Sequence, residues 1–332
     1  MKDKFLTYLV CPECKEPLEL EDIQKREEGE IMEGKLSCLR CGHSFPITRG
    51  IPRILPKSEY TLSEKTKRNF AFSWRKFANI YKDPRDFLDW IYPKKEIFFK
   101  DKVVLDAGCG TGKHALFSSQ FGAQEVIAFD ISNALELAFP LACLKKNVHL
   151  VQADIYHLPF KDDFDYIYSI GVLQHLPDPE KGFKILTQLL KKGGWSSIWV
   201  YGHEGTGLVR KIIDPIRRNV FSRLPLWLVL FLSFFLTSII FFLAKGVYQP
   251  LSKFKFTEKI LEFLPMSSYL VYMSQFEFFY IFNSIFDQLI APITQYFRRQ
   301  EIEDWFQKAG LEQVIITNRN EMSWRASGQK PG

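Results

Sequence analysis

Four of the six cysteines form two Cys-x-x-Cys pairs, Cys11 with Cys14 and Cys38 with Cys41. Each such turn brings two thiolates to one point and aims its own N–H groups at sulfur. Two turns together supply the four soft ligands of a tetrahedral zinc site. No open coordination position is left, so the metal is expected to fold its module rather than do chemistry. Rubredoxin-like iron and a redox dithiol are the competing uses of the same residues. His43 reads as a surface histidine before it reads as a ligand, and Cys109 and Cys143 stand alone. Met1 to Val10 lacks the apolar run and small-residue cleavage site of a secretory signal, so reduced thiols in a cytoplasmic setting are expected.

The second chemical cluster is Val103-Val104-Leu105-Asp106-Ala107-Gly108-Cys109-Gly110-Thr111-Gly112. Three apolar residues run into Asp-x-Gly-x-Gly-x-Gly, and a helix-compatible run, Lys113 to Phe121, follows. This reads as a buried strand, a tight turn and a helix N-terminus, which together bring backbone N–H groups against a nucleotide-like ligand. A dinucleotide fingerprint is excluded, because the third glycine comes one position early and Lys113 takes the last glycine's place. A phosphate-cradling loop is excluded as well, since Ala107 and His114 break its pattern at both ends. A carboxylate at Asp106 repels a pyrophosphate but suits a role in ordering the turn and facing a cationic group, such as a sulfonium with its amino-acid tail.

The segment resembles motif I of the class I S-adenosylmethionine-dependent methyltransferases, and the likeness continues downstream. Glu125–Asp130 reads as a second strand, its terminal acid 24 residues after Asp106. A carboxylate there accepts hydrogen bonds from both ribose hydroxyls. A third strand, Val148–Gln152, ends at Ala153-Asp154-Ile155; in the family the matching Asp contacts the adenine amino group and its neighbour stacks on the ring. A fourth, Phe164–Ile170, leads into Gly171-Val172-Leu173-Gln174-His175-Leu176-Pro177-Asp178-Pro179, which is similar to the loop of the ubiquinone/menaquinone-type branch. A helix Glu180–Lys192, a Gly193-Gly194 stop and a strand Trp195–Tyr201 complete this half. The resemblance implies an α/β, doubly wound, Rossmann-like sheet of seven strands with a helical insertion, preceded by a small zinc ribbon. It also implies S-adenosylmethionine held by Asp106, Ala107, Gly108, Cys109, Gly110, Gly112, Asp130, Ile131, Asp154, Ile155 and Gly171. At the front of the chain, Tyr8-Leu9-Val10-Cys11-Pro12-Glu13-Cys14 with Phe45-Pro46-Ile47-Thr48-Arg49-Gly50-Ile51-Pro52 resembles the small zinc-ribbon activator subunits of tRNA and protein methyltransferases. That likeness implies support or substrate docking rather than catalysis.

The expected organisation is a ribbon module at 1–56, with Glu21 to Lys35 as a solvated hairpin tip, then a linker and aromatic helix at 57–100. A cofactor half follows at 101–203, then an insertion at 204–297, and a closing helix and hairpin at 298–332. Phe70, Trp74 and Phe77 share a helical face, which fits both a packing helix and a lid; Tyr81 lies further along the same aromatic stretch. The insertion carries the charge asymmetry of the chain. Between Glu204 and Ile260 there are nine Lys/Arg (among them Arg217, Arg218, Lys245 and Lys255) against three acids, an excess equal to the whole +6. Within it, Leu224 to Ala244 is uncharged and long enough to cross a bilayer. A single crossing would leave the closing hairpin on the wrong side of the membrane. Peripheral membrane contact through 204–260, on the inner face, is therefore preferred over a lid and over a span with re-entry.

Methyl transfer from a sulfonium is an in-line displacement, so positioning dominates. A base is needed only if the acceptor loses a proton, and His175, His203 and Tyr201 are the candidates for catalytic contact. The expected enzyme methylates an apolar or membrane-associated small molecule at oxygen or carbon, with nucleic acid disfavoured because residues 1–56 are nearly charge-balanced. The alternative is an RNA or protein methyltransferase that docks a macromolecule through its ribbon. A non-catalytic binder that keeps the fold is a third reading, against which the intact Asp106, Gly108, Gly110, Asp130 and Asp154 speak.

Overall fold

The computed structural model describes residues 1–56, 64–77, 83–254 and 258–332; Tyr81 and Lys255 lie outside them. The ribbon has four strands, β1 (Glu19–Glu27), β2 (Glu30–Ser37), β3 (Ser44–Thr48) and β4 (Ile51–Ile54). Glu28 and Gly29, both at positive φ, close the β1–β2 hairpin with the tight two-residue turn that matches strand twist. The Glu- and Lys-rich segment expected to be a solvated tip is thus mostly paired strand, one with nearly every side chain of β1 exposed.

Helices α1 (Glu64–Lys76) and α2 (Pro84–Trp90) precede the core. Asp83 caps α2 by accepting from the N–H of Arg85, and Pro84 sits where a helix needs no donor. The core then alternates: β5 (Val103–Ala107), α3 (Lys113–Gln120), β6 (Glu125–Asp130), α4 (Leu135–Cys143), β7 (Val148–Ala153), β8 (Phe164–Ile170), α5 (Pro179–Gln188) and β9 (Leu190–Tyr201). β5, β6 and β7 are buried along their whole lengths, as strands covered on both faces must be. Helix α5 stops at Gln188, four residues short of the expected end. Leu190 already pairs with Phe164, and the chain passes Gly193–Gly194 as a strand irregularity rather than a helix stop. Gly194 leaves little room for a side chain there, with carbonyl oxygens of Lys191 and Phe164 at 2.9 and 3.0 Å from where a Cβ would lie.

The insertion is helical: α6 (Asp214–Asn219), α7 (Leu226–Leu243), α8 (Gln249–Ser252), α9 (Glu258–Phe263), α10 (Ser267–Met273) and α11 (Phe278–Ile290). The run Leu226–Ser252 is long and apolar enough to cross a membrane. The chain closes with α12 (Arg299–Lys308), β10 (Glu312–Arg319) and β11 (Ser323–Gln329).

The strand order is β1-β2-β3-β4-β7-β6-β5-β8-β9-β11-β10. The seven strands from β7 to β10 are the expected doubly wound sheet, parallel except for β11, which runs antiparallel to both neighbours. The ribbon is not a tethered bead. β4 pairs in parallel with β7, at Arg53 with Gln152 and Ile54 with Ala153, so one sheet of 11 strands spans both modules. The N–H of Val10 also donates to the Pro159 carbonyl at 2.9 Å. Ribbon side chains Phe5, Leu9, Ile31 and Leu36 share one apolar core with Phe129 and Phe160. Gly50 marks the tightest contact: at φ +76 its position for a Cβ is 2.0 Å from the Phe139 ring on α4. Gly50→Val is expected to destabilise the protein by about 2–4 kcal/mol, from strain plus overpacking. Thermal denaturation would show it as a melting point lowered by several degrees, with the β4–β7 junction opening first in hydrogen exchange.

Candidate active site and metal centre

The turn after β5 sets the geometry of the cleft. Gly108, Gly110 and Gly112 all have positive φ, at +80, +55 and +71. Side chains are excluded there twice over, because a Cβ would meet Val172 at Gly108, Trp74 at Gly110 and Ala138 at Gly112, at 2.4, 3.0 and 2.9 Å. Asp130, at the end of β6, pins the turn: one carboxylate oxygen accepts from Gly110 N at 3.0 Å, the other from Ser132 N at 2.8 Å. Burial raises the Asp130 pKa above the usual carboxylate value, and these backbone donors offset part of that shift. Asp154, after β7, is buried and accepts from Tyr156 N at 3.0 Å.

A cavity of about 380 Å³ opens over this turn. Of the residues expected to hold the cofactor, Gly108, Cys109, Gly110, Asp130, Ile131, Asp154, Ile155 and Gly171 line it. Asp106, Ala107 and Gly112 do not. The Asp106 carboxylate is buried beside Tyr168 and does not line the cavity. Cys109 lines the wall, but burial with Asp106 and Asp130 nearby pushes its thiol well above the usual range, leaving no thiolate nucleophile.

Of the catalytic candidates, His175 and Tyr201 reach the cavity and His203 does not. Backbone pairing of His203 N with the Phe297 carbonyl, at 2.8 Å, holds that residue beside the chain entering α12. His175 Nδ1 is 2.7 Å from the Ile293 carbonyl oxygen. A carbonyl only accepts, so Nδ1 carries the proton and Nε2 keeps its lone pair. Burial, with Arg217 nearby, pulls the His175 pKa down to about 4, so the ring is neutral near pH 7. The Tyr201 ring stands edge-on to His175 at 5.9 Å, and burial keeps its hydroxyl protonated.

Much of the rest of the lining comes from residues that the sequence reading did not single out. Phe70 and Trp74 of α1 cover the turn side, the lid alternative for that helix. Helix α11 contributes Tyr280, Asn283, Ser284, Asp287 and Gln288, and α10 contributes Tyr269 and Tyr272. Asp287 takes a hydrogen bond from Ser73 on α1, joining roof to lid. Arg319, nearly buried, pairs with Asp89 and donates to Tyr272 Oη at 2.5 Å. Arg217 forks onto Asp214, at 2.6 and 3.1 Å, and donates to the Ala291 carbonyl. Trp90 Nε1 has no acceptor among the described residues and belongs to the same wall. The signal for the α11 set was present: 280, 283, 284, 287 and 288 recur at helical spacing on an otherwise apolar helix.

In the ribbon, the sulfurs of Cys11, Cys14, Cys38 and Cys41 all lie within 4.8 Å of one another. Cys11 to Cys41, Cys14 to Cys38 and Cys14 to Cys41 measure 3.5, 3.4 and 3.6 Å. Four thiolates around zinc at about 2.3 Å would stand roughly 3.8 Å apart, so the cluster fits the ion closely. Backbone N–H groups of Glu13 and Cys14 point at the Cys11 sulfur, and those of Arg40 and Cys41 at the Cys38 sulfur. His43 Nδ1 lies 3.2 Å from the Cys41 sulfur, the position of an outer partner to a ligand.

The methyltransferase domain family model matches residues 105–198, from the end of β5 to β9. This is a methyltransferase domain of the S-adenosylmethionine-dependent kind. Its cofactor is S-adenosylmethionine, and the Trm112p-like family model matches residues 2–50, the ribbon with its structural zinc site. A protein of Synechococcus sp. is 29% identical over 166 residues, 41% of this chain and 40% of its own length. A tRNA U34 carboxymethyltransferase of Nautilia profundicola is 33% identical over 113 residues, 33% of this chain and 38% of its own. The chain thus spans about two fifths of the length of these relatives. Among solved structures, phosphoethanolamine N-methyltransferase 2 of Haemonchus contortus is 15% identical, covering 85% of this chain and 62% of that one at a TM-score of 0.48.

Three expectations need correction. The curated relatives are named for tRNA modification and not for the ubiquinone/menaquinone branch. The same finding overturns the apolar small-molecule acceptor and the exclusion of nucleic acid as a partner. The physical source of that error is visible in the insertion. Its apolarity was read as the sign of an apolar or membrane-associated acceptor, whereas α11 turns its polar stripe inward and α7 carries the apolar surface outside.

Two measurements check the site. Asp130→Ala should weaken S-adenosylmethionine binding at least about tenfold by calorimetry, the loss of a charged hydrogen-bonding group. Metal analysis should find one zinc per chain, and Cys38→Ser should lose it together with the ribbon's protection from proteolysis.

Proposed function

We propose that the chain is an S-adenosylmethionine-dependent methyltransferase whose acceptor is an RNA, with the ribbon helping to dock that macromolecule. The observation that carries this reading is the name shared by matched relatives, tRNA U34 carboxymethyltransferase, beside the Trm112p-like front module. The cavity agrees with it in chemical character. Tyr201, Tyr269, Tyr272, Tyr280 and Tyr296 offer ring faces, while Asn283, Asp287 and Gln288 offer amide and carboxylate edges. An unstacked base needs that combination, aromatic faces to stack on and polar edges to read its hydrogen-bonding side.

In this reading residues 1–56 dock the substrate and the aromatic helix within 57–100 is a lid. Residues 101–203 hold the cofactor, 204–297 roof the acceptor and 298–332 close the sheet. The bound cofactor supplies an electrophilic methyl group on a sulfonium. Gly108 to Gly110 would meet its amino-acid tail through backbone, Asp130 its ribose, and Asp154 with Ile155 its adenine. His175 Nε2 is the lone pair available to take a proton if the acceptor must lose one, and Tyr201 is an adjacent donor that orients the acceptor. Lid and roof, tied through Ser73 and Asp287, exclude water from the transfer. The compartment that suits an RNA acceptor is the cytoplasm, and the outer surface of α7 favours its membrane face over free solution.

Transfer of labelled methyl from S-adenosylmethionine into total cellular RNA is the test. The expected outcome is label in the tRNA fraction, removed by nuclease and unaffected by protease, with His175→Ala lowering the rate at least about tenfold. Label that survives nuclease and follows lipid or protein instead would sink the RNA reading.

A further inference from the structure

Apolar surface is exposed in this protein on a scale that neither core nor cleft accounts for. Eighteen of the 26 exposed large hydrophobic side chains lie between Leu208 and Phe279. On α7, Val229, Ser233 and Thr237 face inward at four-residue spacing and pack towards α11. The opposite side presents Trp227, Phe231, Phe235, Ile239 and Phe242, which are 67, 55, 53, 59 and 71% exposed. A second stripe continues it: Leu208, Ile212, Ile216 and Val220, again four residues apart, are exposed on α6 and the turns around it. Monomers in water rarely carry a contiguous apolar patch of this size.

We propose that this face of α6 and α7 lies in the interfacial layer of an anionic lipid bilayer, as an in-plane anchor that does not cross it. Three observations choose lipid as the occupant. First, every hydroxyl on α7 is satisfied by its own helix: those of Ser233, Thr237 and Ser238 donate to the carbonyls of Val229, Ser233 and Phe234 at 2.7, 2.6 and 2.9 Å. Even Ser238, which lies on the outer side, therefore presents no unmet donor to a hydrocarbon environment. Second, the rim is cationic. Residues 205–254 hold seven Lys/Arg and a single acid, Asp214, which is buried against Arg217 and Arg218. Lys211, Arg218, Arg223 and Lys253 are exposed around a face that itself has no charge. Two copies of this face would set those cations against each other. Third, the topology holds both ends of α7 on one side. The chain returns through α11 to β11, which pairs with β9 along its full length.

The anchor is also the outer wall of the cleft's roof. Phe234 and Phe241 of α7 pack on Phe278 and Phe282 of α11, at ring separations from 5.3 to 5.9 Å, and α11 turns Tyr280, Asn283 and Asp287 into the cavity. A single helix thus separates lipid from acceptor, whichever acceptor enters.

Flotation of the full chain with phosphatidylglycerol–phosphatidylcholine vesicles tests the proposal. The protein should rise with these vesicles, release as salt is added, and bind pure phosphatidylcholine vesicles less well. The triple variant Phe231→Glu, Phe235→Glu, Phe242→Glu should lose about tenfold or more in partitioning while S-adenosylmethionine binding by calorimetry stays unchanged. A chain that stays at the bottom of the gradient overturns the proposal. So does a chain that forms a defined dimer dispersed by the same triple variant. Neither outcome touches labelling of RNA, so the two proposals fail separately.

Discussion

The hydrogen bond from Gly110 N to the Asp130 carboxylate is the contact on which the cleft depends. It joins the turn after β5 to the end of β6, and it holds a left-handed backbone that any side chain would block. The acid is costly where it sits, since burial disfavours its charge, and the backbone donors at Gly110 and Ser132 make it tolerable. Everything around the cavity is placed relative to this pair. Val172 fits only because Gly108 lacks a Cβ, and Trp74 reaches the turn only because Gly110 does.

Much of this half was legible in the sequence because it depends on local signals. Strand ends carrying Asp130 and Asp154, glycines where φ must be positive, and a capping Asp178 before Pro179 each act over a few residues. The four zinc-site cysteines were equally plain, since the spacing within each pair sets the turn. Local signals have limits, however. Asp106 was given a ligand-facing role because it follows the pattern, while it is buried beside Tyr168 and does not line the cavity. His203 was grouped with His175 by its position after a strand, and a backbone pair to Phe297 carries it away.

What was not legible arises from contacts between distant segments. The polar stripe of α11 was hidden in a greasy stretch, and only its packing against α1 through Ser73 and Asp287 gives it a purpose. Arg319 and Asp89 are separated by most of the chain and meet beside Tyr272. The union of ribbon and core into one sheet left no local sequence signature, because the residues that meet there, such as Arg53 and Gln152, come from distant segments.

That union has a consequence for solubility and stoichiometry. Without β4, the backbone donors and acceptors of β7 would form a bare rim inviting association with other chains. The ribbon covers that rim and moves the terminus of the sheet outward to β1, where Glu19, Glu21, Asp22, Lys25, Arg26 and Glu27 are charged and the register is broken by irregularities. Exposed charges and a kinked ladder make β1 a poor template for further pairing. The zinc module is therefore a guard strand built into the same polypeptide, present in a fixed ratio of one per catalytic sheet, and loss of its metal would expose an aggregation edge.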